Sequence, residues 1–203
     1  MADPTCPFVS RGGLKLAAAL EAFALDPAGM TCADFGCNVG GFTDCLLQHG
    51  AAKVYAIDTG YGQLAWRLRH DPRVVVLERT NALHAEPHAE CDLVTIDLGW
   101  TPQRHAVPAA LRWLGHDDRA RIVTLIKPHY EVRDAGRLRR GRGVLSDADA
   151  RRVLQDVLAA MPGLGVRVLQ HLRSPIRGGA GKGRTGNVEY LALLARDSSG
   201  RRR

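Results

Sequence analysis

Residues 31–42, TCADFGCNVGGF, decide the fold. Residues 31–35 form a mostly apolar run of strand length. It ends on Gly36, Gly40 and Gly41, and residues 42–48 then take up helical periodicity. A strand that runs into a glycine-rich turn and a helix is the opening unit of a parallel α/β sheet. On such sheets ligands bind outside the carboxyl ends of the strands, at the switch point that usually follows the first strand.

Outward from this unit, short apolar runs alternate with amphipathic segments, as a sheet with crossover helices requires. Further strands are expected at 53–57, 74–77, 92–96, 121–126, 166–169 and 188–194. The strand at 121–126 is read as ending before Pro128. Helices are expected at 13–23 with Ser10 as its cap, at 63–69, at 106–114 and at 147–160. The last is capped by Ser146 and stopped by Met161-Pro162-Gly163. The glycine-rich stretch 173–186 is too short for a crossover helix, so the final two strands pair antiparallel. The expected fold is therefore a Rossmann-like α/β domain of about seven strands, mostly parallel, with the last strand antiparallel and helices on both faces. Residues 1–196 are read as a single domain, with 1–24 as an arm and helix, and 197–203 as a disordered basic tail.

Composition narrows the setting. The chain has 203 residues, 45% of them apolar, enough for one domain with a core. No apolar run approaches the ~18–20 residues of a membrane span. The N-terminus lacks the basic and apolar regions of a signal peptide, so the cytoplasm is the expected location. No segment is amphipathic or apolar enough to insert as a pore. The five cysteines are odd in number, contain no C-x-x-C and have no histidine pair at zinc spacing. They read as small buried hydrophobes, and no metal is expected. The net charge of +7 favours a polyanion such as nucleic acid, or else reflects a solvated arginine-rich surface.

The loop spacing is G-x-x-x-G-G, not the G-x-G-x-x-G that cradles a pyrophosphate. Asp34 at the strand end is wrong for phosphate but suits a cationic amino or sulfonium group, which S-adenosylmethionine carries. Gly36, Asn38, Gly40, Gly41 and Phe42 are the candidate contacts of that cofactor, the glycines because a Cβ would hold the backbone away from it. About twenty residues on, Asp58 ends the second strand, where an acid accepts hydrogen bonds from ribose hydroxyls. Asn81, after the third strand, is placed either to touch an adenine edge or to make a turn.

Three polar residues sit at the ends of apolar strands: Asp97, Lys127 and Glu189. In a parallel sheet with its last strand reversed, all three fall on the edge that carries the glycine loop. Such groups are costly to bury unpaired. They are either structural ion pairs or a catalytic cluster beside the cofactor, with Asp97 also in reach of it.

At this point several stretches resemble the TlyA family of rRNA methyltransferases, some of whose members bear the name haemolysin. They are Ser10-Arg11-Gly12-Gly13-Leu14-Lys15-Leu16, Gly40-Gly41-Phe42-Thr43-Asp44-Cys45-Leu46, Asp58-Thr59-Gly60-Tyr61-Gly62-Gln63-Leu64-Ala65-Trp66, Asp71-Pro72-Arg73-Val74, Glu78-Arg79-Thr80-Asn81 and Gly186-Asn187-Val188-Glu189-Tyr190. The wider group is the FtsJ-type ribose 2′-O-methyltransferases. The resemblance implies S-adenosylmethionine as cofactor, RNA as partner (rRNA or a ribosomal subunit) and a catalytic tetrad of Lys15, Asp97, Lys127 and Glu189. The surroundings of Asp97 and the Cys37-Asn38-Val39 stretch depart from the family pattern. TlyA proteins usually carry an N-terminal S4 RNA-binding domain, whereas this chain starts almost at the methyltransferase core.

Under this resemblance, Lys127 either accepts the proton of a ribose 2′-hydroxyl through a lowered pKa or steers the oxygen towards the methyl group. Asp97 orients Lys127, while Lys15 and Glu189 position the ribose. Arg11 and two basic loops are the candidate RNA contacts. One loop spans 133–142 and holds Arg137, Arg139 and Arg140. The other holds Arg177, Lys182 and Arg184. Cations there would meet phosphates, or else belong to ordinary solvated loops. The same fold acting on another acceptor, and a non-catalytic RNA-binding module, are the alternatives.

Overall fold

The computed structural model describes residues 6–134, 144–178 and 186–197. The strands β1 (Thr31–Phe35), β2 (Lys53–Ile57), β3 (Val74–Leu77), β4 (Leu93–Ile96), β5 (Arg121–Ile126), β6 (Val166–Arg173) and β7 (Tyr190–Arg196) form a seven-stranded sheet among the described residues. Its order is β3-β2-β1-β4-β5-β7-β6. Strands β1 to β5 are parallel, and β7 inserts antiparallel between β5 and β6. The expected mostly parallel sheet with a reversed last strand is what forms. Ile126 at the end of β5 faces Tyr190 at the start of β7. That register places Lys127 and Glu189 side by side at one edge.

The central strands are apolar on both faces because helices cover both, as parallel strands require. Phe35, Ile57, Ile96, Ile122 and Ile126 pack on one face with Trp113. That face is covered by α4 (Gln103–Trp113) and α6 (Asp147–Ala160). Cys32, Val54, Leu93 and Leu125 pack on the other. There they meet α1 (Gly12–Ala22) and α2 (Gly41–Gln48) through Leu16, Leu20, Phe42 and Leu46. Each such aliphatic or aromatic side chain fully buried contributes about 1.5–3 kcal/mol. The Trp113 ring meets Phe35 edge-on at 5.9 Å, and its Nε1–H donates to the Ala85 carbonyl.

Several elements differ from expectation for local reasons. The helix expected at 63–69 shrinks to α3 (Trp66–Arg69). Gly62 sits at φ +69°, and Ala65 is extended, its N–H donated to the Val39 carbonyl at 3.1 Å. The chain before α3 is thus tied to the glycine loop instead of coiling. Helix α4 starts earlier than residue 106, after Pro102, and keeps Pro108 in its interior without that residue's ladder bond. Helix α5 (Pro128–Asp134) was not expected. Its proline stands at the first helical position, where no N–H is needed, so it opens a helix as well as ending a strand. Strand β6 runs to Arg173 across an irregularity between Val168 and Gln170. Ser10 contributes at the start of α1 by accepting from the Gly12 N–H, and Ser146 caps α6 by accepting from the Asp149 N–H. The Asp197 N–H donates to the Gly165 carbonyl at 2.9 Å, so the expected disordered tail does not include Asp197. Residues 198–203 lie outside the described residues. Four cysteines are buried and Cys6 is partly so.

Candidate active site

The loop after β1 is shaped by its neighbours. The Gly36 and Cys37 N–H groups both donate to the Ile57 carbonyl. Gly36 sits at φ +85°, and a Cβ there would lie 2.6 Å from the Asp97 carbonyl oxygen. A Cβ on Gly41 would collide with Ser10 Oγ and stand 2.9 Å from the Gly13 nitrogen. The glycines are therefore demanded by the protein's own packing, and not first by ligand approach. Asn38 takes a left-handed φ of +49°, a conformation asparagine tolerates better than most residues.

This loop borders a cavity of about 340 Å³. Residues 36–39, Gly41 and Phe42 form one wall. Ser10, Gly12 and Lys15 form a second, and Asp97, Gly99 and Lys127 a third. Lys127 Nζ lies 2.5 Å from Asp97 Oδ1 and donates to the Leu98 carbonyl. Lys15 Nζ donates to Glu189 Oε2 at 2.5 Å, and Glu189 is buried. All four residues named from the sequence thus meet at one edge as two ion pairs. Gly178 packs so closely on the Glu189 carboxylate that no Cβ fits between them.

Burial alone would lower the Lys127 pKa, but the Asp97 carboxylate beside it, with Glu189 and Tyr130 further off, holds it above the ordinary lysine value. Lys127 is an ammonium at neutral pH. This corrects the expectation of a lowered pKa and favours the other expected role, steering the oxygen.

Asp34 departs from expectation in position. It is fully buried beneath the loop, accepts from Thr43 Oγ1 at 2.7 Å and Thr95 Oγ1 at 3.0 Å, and does not line the cavity. Burial raises its pKa from 3.8 to about 7 despite the two hydroxyls. Between those values the folded state binds more protons than the unfolded, so its contribution to stability falls as the pH rises through that window. Asp34→Asn should flatten this slope, read from melting temperatures between pH 4 and pH 8; an unchanged slope contradicts the assignment.

Asp58 accepts from the Asn38 N–H and the Gly60 N–H at 2.9 and 2.7 Å, so it sets the rim of the loop. Asn81 Oδ1 accepts from the Leu83 N–H, the turn role of the two expected. Arg11 is exposed before α1. Arg177, expected at a phosphate, is bonded to Asp147 at 2.9 Å, as is Arg173. Arg137, Arg139, Arg140, Lys182 and Arg184 lie outside the described residues.

Two residues carried no clear sequence signal. Asp44 is buried in α2 and gathers the Val9 N–H at 2.7 Å, Arg67 and Gln48. It fastens the arm that precedes Lys15 to α2 and α3. Asp44→Ala orphans these donors and should lower the unfolding free energy by about 1–3 kcal/mol, measured in urea. Trp100 follows β4 at φ +59°, is 69% exposed, and lies tilted by 31° against the Tyr130 ring with centroids 4.7 Å apart. Its only readable hint was an aromatic residue in the loop after the strand that ends at Asp97.

The model of the FtsJ-like methyltransferase family matches residues 8–194. The chain is 45% identical over 196 residues to the 16S/23S rRNA (cytidine-2′-O)-methyltransferase TlyA of Mycobacterium tuberculosis, covering 95% of this chain and 70% of that protein. A solved structure of a hemolysin-named protein from Lactococcus lactis superposes with a TM-score of 0.83 at 39% identity, covering 94% of this chain and 89% of that one. The N-methyltransferase NodS of Bradyrhizobium japonicum, solved with S-adenosyl-L-homocysteine, shares the fold alone. Its TM-score is 0.61 at 15% identity, over 92% of this chain and 85% of that one. The sheet, the loop and the matched span together make this chain a member of the FtsJ-like methyltransferase family, and an enzyme of that kind.

Proposed function

We propose that the enzyme transfers a methyl group from S-adenosylmethionine to a ribose 2′-hydroxyl of ribosomal RNA. The observation that carries this is the Lys127–Asp97 pair beside the Lys15–Glu189 pair at the rim of the glycine-loop cavity. Two ammonium groups and two carboxylates sum to no net charge, which suits a cationic cofactor better than a phosphate-rich one. The backbone of residues 36–39, the Ser10 side and Asp97 would hold it, and Asp58 reaches its ribose side through the loop rim. When bound, it supplies an electrophilic methyl group.

The rest falls to this chain's own groups. The Lys127 ammonium donates a hydrogen bond to the acceptor oxygen and stabilises the negative charge that develops there. Asp97 holds the ammonium in place. The hydroxyl proton passes to the Lys127–Asp97 pair, on the carboxylate, and from there to water. Lys15, fixed by Glu189, presents a second cation to the ribose. On this reading the enzyme works in the cytoplasm on rRNA or a ribosomal subunit. Among the described residues no helix is long and apolar enough to cross a membrane.

Trp100, exposed and tilted against Tyr130 next to Lys127, offers a face for the acceptor base. Trp100→Ala should raise the apparent KM for RNA about tenfold, the scale of one lost base–aromatic stack, with cofactor affinity unchanged. Steady-state kinetics with rRNA and calorimetry with the cofactor check both halves. An unchanged KM for RNA removes Trp100 from the acceptor side.

A further inference from the structure

The segment Tyr61-Gly62-Gln63-Leu64-Ala65-Trp66 has no part in the reaction above, yet it ends on the most exposed large apolar side chain among the described residues. Trp66 is 74% exposed. It lies on the β2 side of the glycine loop, and Trp100 lies on the β4 side, so the two solvent-facing indoles stand on opposite sides of that loop in the sheet order. Trp66 is placed there by a rigid mounting. Leu64 and Leu68 are buried against Gly40, and the Ala65 N–H donates to Val39, a residue of the cavity wall. The His70 ring stacks on the indole at 4.1 Å and 30°, locked by its Nδ1–H donating to the Trp66 carbonyl at 2.8 Å.

We infer that Trp66, backed by His70, is a second stacking platform for RNA and takes a nucleobase that flanks the acceptor nucleotide. The inference rests on the RNA reading above. A side chain this exposed contributes little to the core, so packing does not explain it. The indole is already immobilised, so little side-chain entropy is lost on binding. Its exposed neighbours along the chain are Tyr61, Gly62, Gln63, Arg67 and His70. The Arg67 side chain, next along the chain, is 57% exposed although its guanidinium also pairs with the buried Asp44 carboxylate. A flat ring followed in the chain by a half-exposed arginine fits a base and its phosphate. The anchors of a protein interface sit instead in apolar, desolvated surroundings.

The test uses the full chain and a labelled, unstructured 12-nucleotide oligoribonucleotide, with affinity read by fluorescence anisotropy. Trp66→Ala should weaken binding about tenfold, and Trp66→Phe, which keeps a ring, by less than about threefold. Cofactor affinity, by calorimetry, should not move in either. In a Trp100→Phe background the exposed emitter is Trp66, and the oligonucleotide should quench it. Binding by Trp66→Ala equal to the parent, equal losses in the alanine and phenylalanine variants, or no quenching overturns the platform. Methylation of rRNA by the parent enzyme is scored separately. Its failure with the Trp66 effect intact would reject the transfer reading and leave the platform standing.

Discussion

Lys127→Ala should lose about 10³-fold in the rate of methyl transfer while binding S-adenosylmethionine as the parent does. The side chain is nearly buried, lies at the carboxyl end of β5, and points its ammonium into the cavity beside Asp97. Truncation removes the donor that holds and stabilises the acceptor oxygen. It leaves the glycine-loop wall untouched, because that wall is built by contacts among Gly36, Gly41, Ser10 and Gly13. Single-turnover transfer and calorimetric affinity separate the two effects. Arginine should not rescue the variant, since its planar fork presents donors in a different geometry from a single ammonium. Near-parental transfer by Lys127→Ala would remove this residue from the reaction.

Asp97→Ala should have the next largest effect, a loss of about 10²-fold in transfer, because the ammonium then lacks the carboxylate that orients it and the hydroxyl proton lacks its acceptor. It also tests the charge state. Burial is the largest influence on Lys127 and acts to lower its pKa, and Asp97 is the main influence that reverses it. Without Asp97 the lysine pKa falls. A group with a raised pKa keeps its proton until the pH passes that raised value. The parent's dependence on the Lys127 ammonium therefore appears only on the far alkaline side, and in Asp97→Ala that limb moves to lower pH. Asp97→Asn, of the same shape but uncharged, should move the limb in the same direction. A pH–rate profile that stays in place in both variants would show that Asp97 does not set the charge on Lys127.

The parts of the fold legible in the sequence were those written in short apolar runs and glycine spacing. The loop after β1 and the ends of β4 and β5 follow from them, and with the reversed last strand they bring Asp97, Lys127 and Glu189 to one edge. Lys15 was reached only through resemblance, because its partner Glu189 lies 174 residues away in sequence and no periodicity links the two. The remaining differences come from tertiary contacts that local pattern does not encode. The stretch before α3 gives up helix for a hydrogen bond to Val39. Pro128 begins a helix because the first helical position has no use for its N–H. Asp34 reads as a ligand group from its place at a strand end, but Thr43 from α2 and Thr95 from β4 enclose it. Arg177 reads as a phosphate contact, and nothing in the local sequence signals its ion pair with Asp147 at the start of α6.

Transfer to a ribose oxygen of rRNA by the Lys127–Asp97 and Lys15–Glu189 pairs can be read directly from its product. Its most direct test is to incubate the enzyme with S-adenosylmethionine labelled on the methyl group and with rRNA or ribosomal subunits. The RNA is then digested to nucleosides and the labelled product identified by mass spectrometry. The label should appear on a 2′-O-methylated ribose and be lost in Lys127→Ala. Label on a base, label on ribosomal protein, or equal labelling by Lys127→Ala would contradict it.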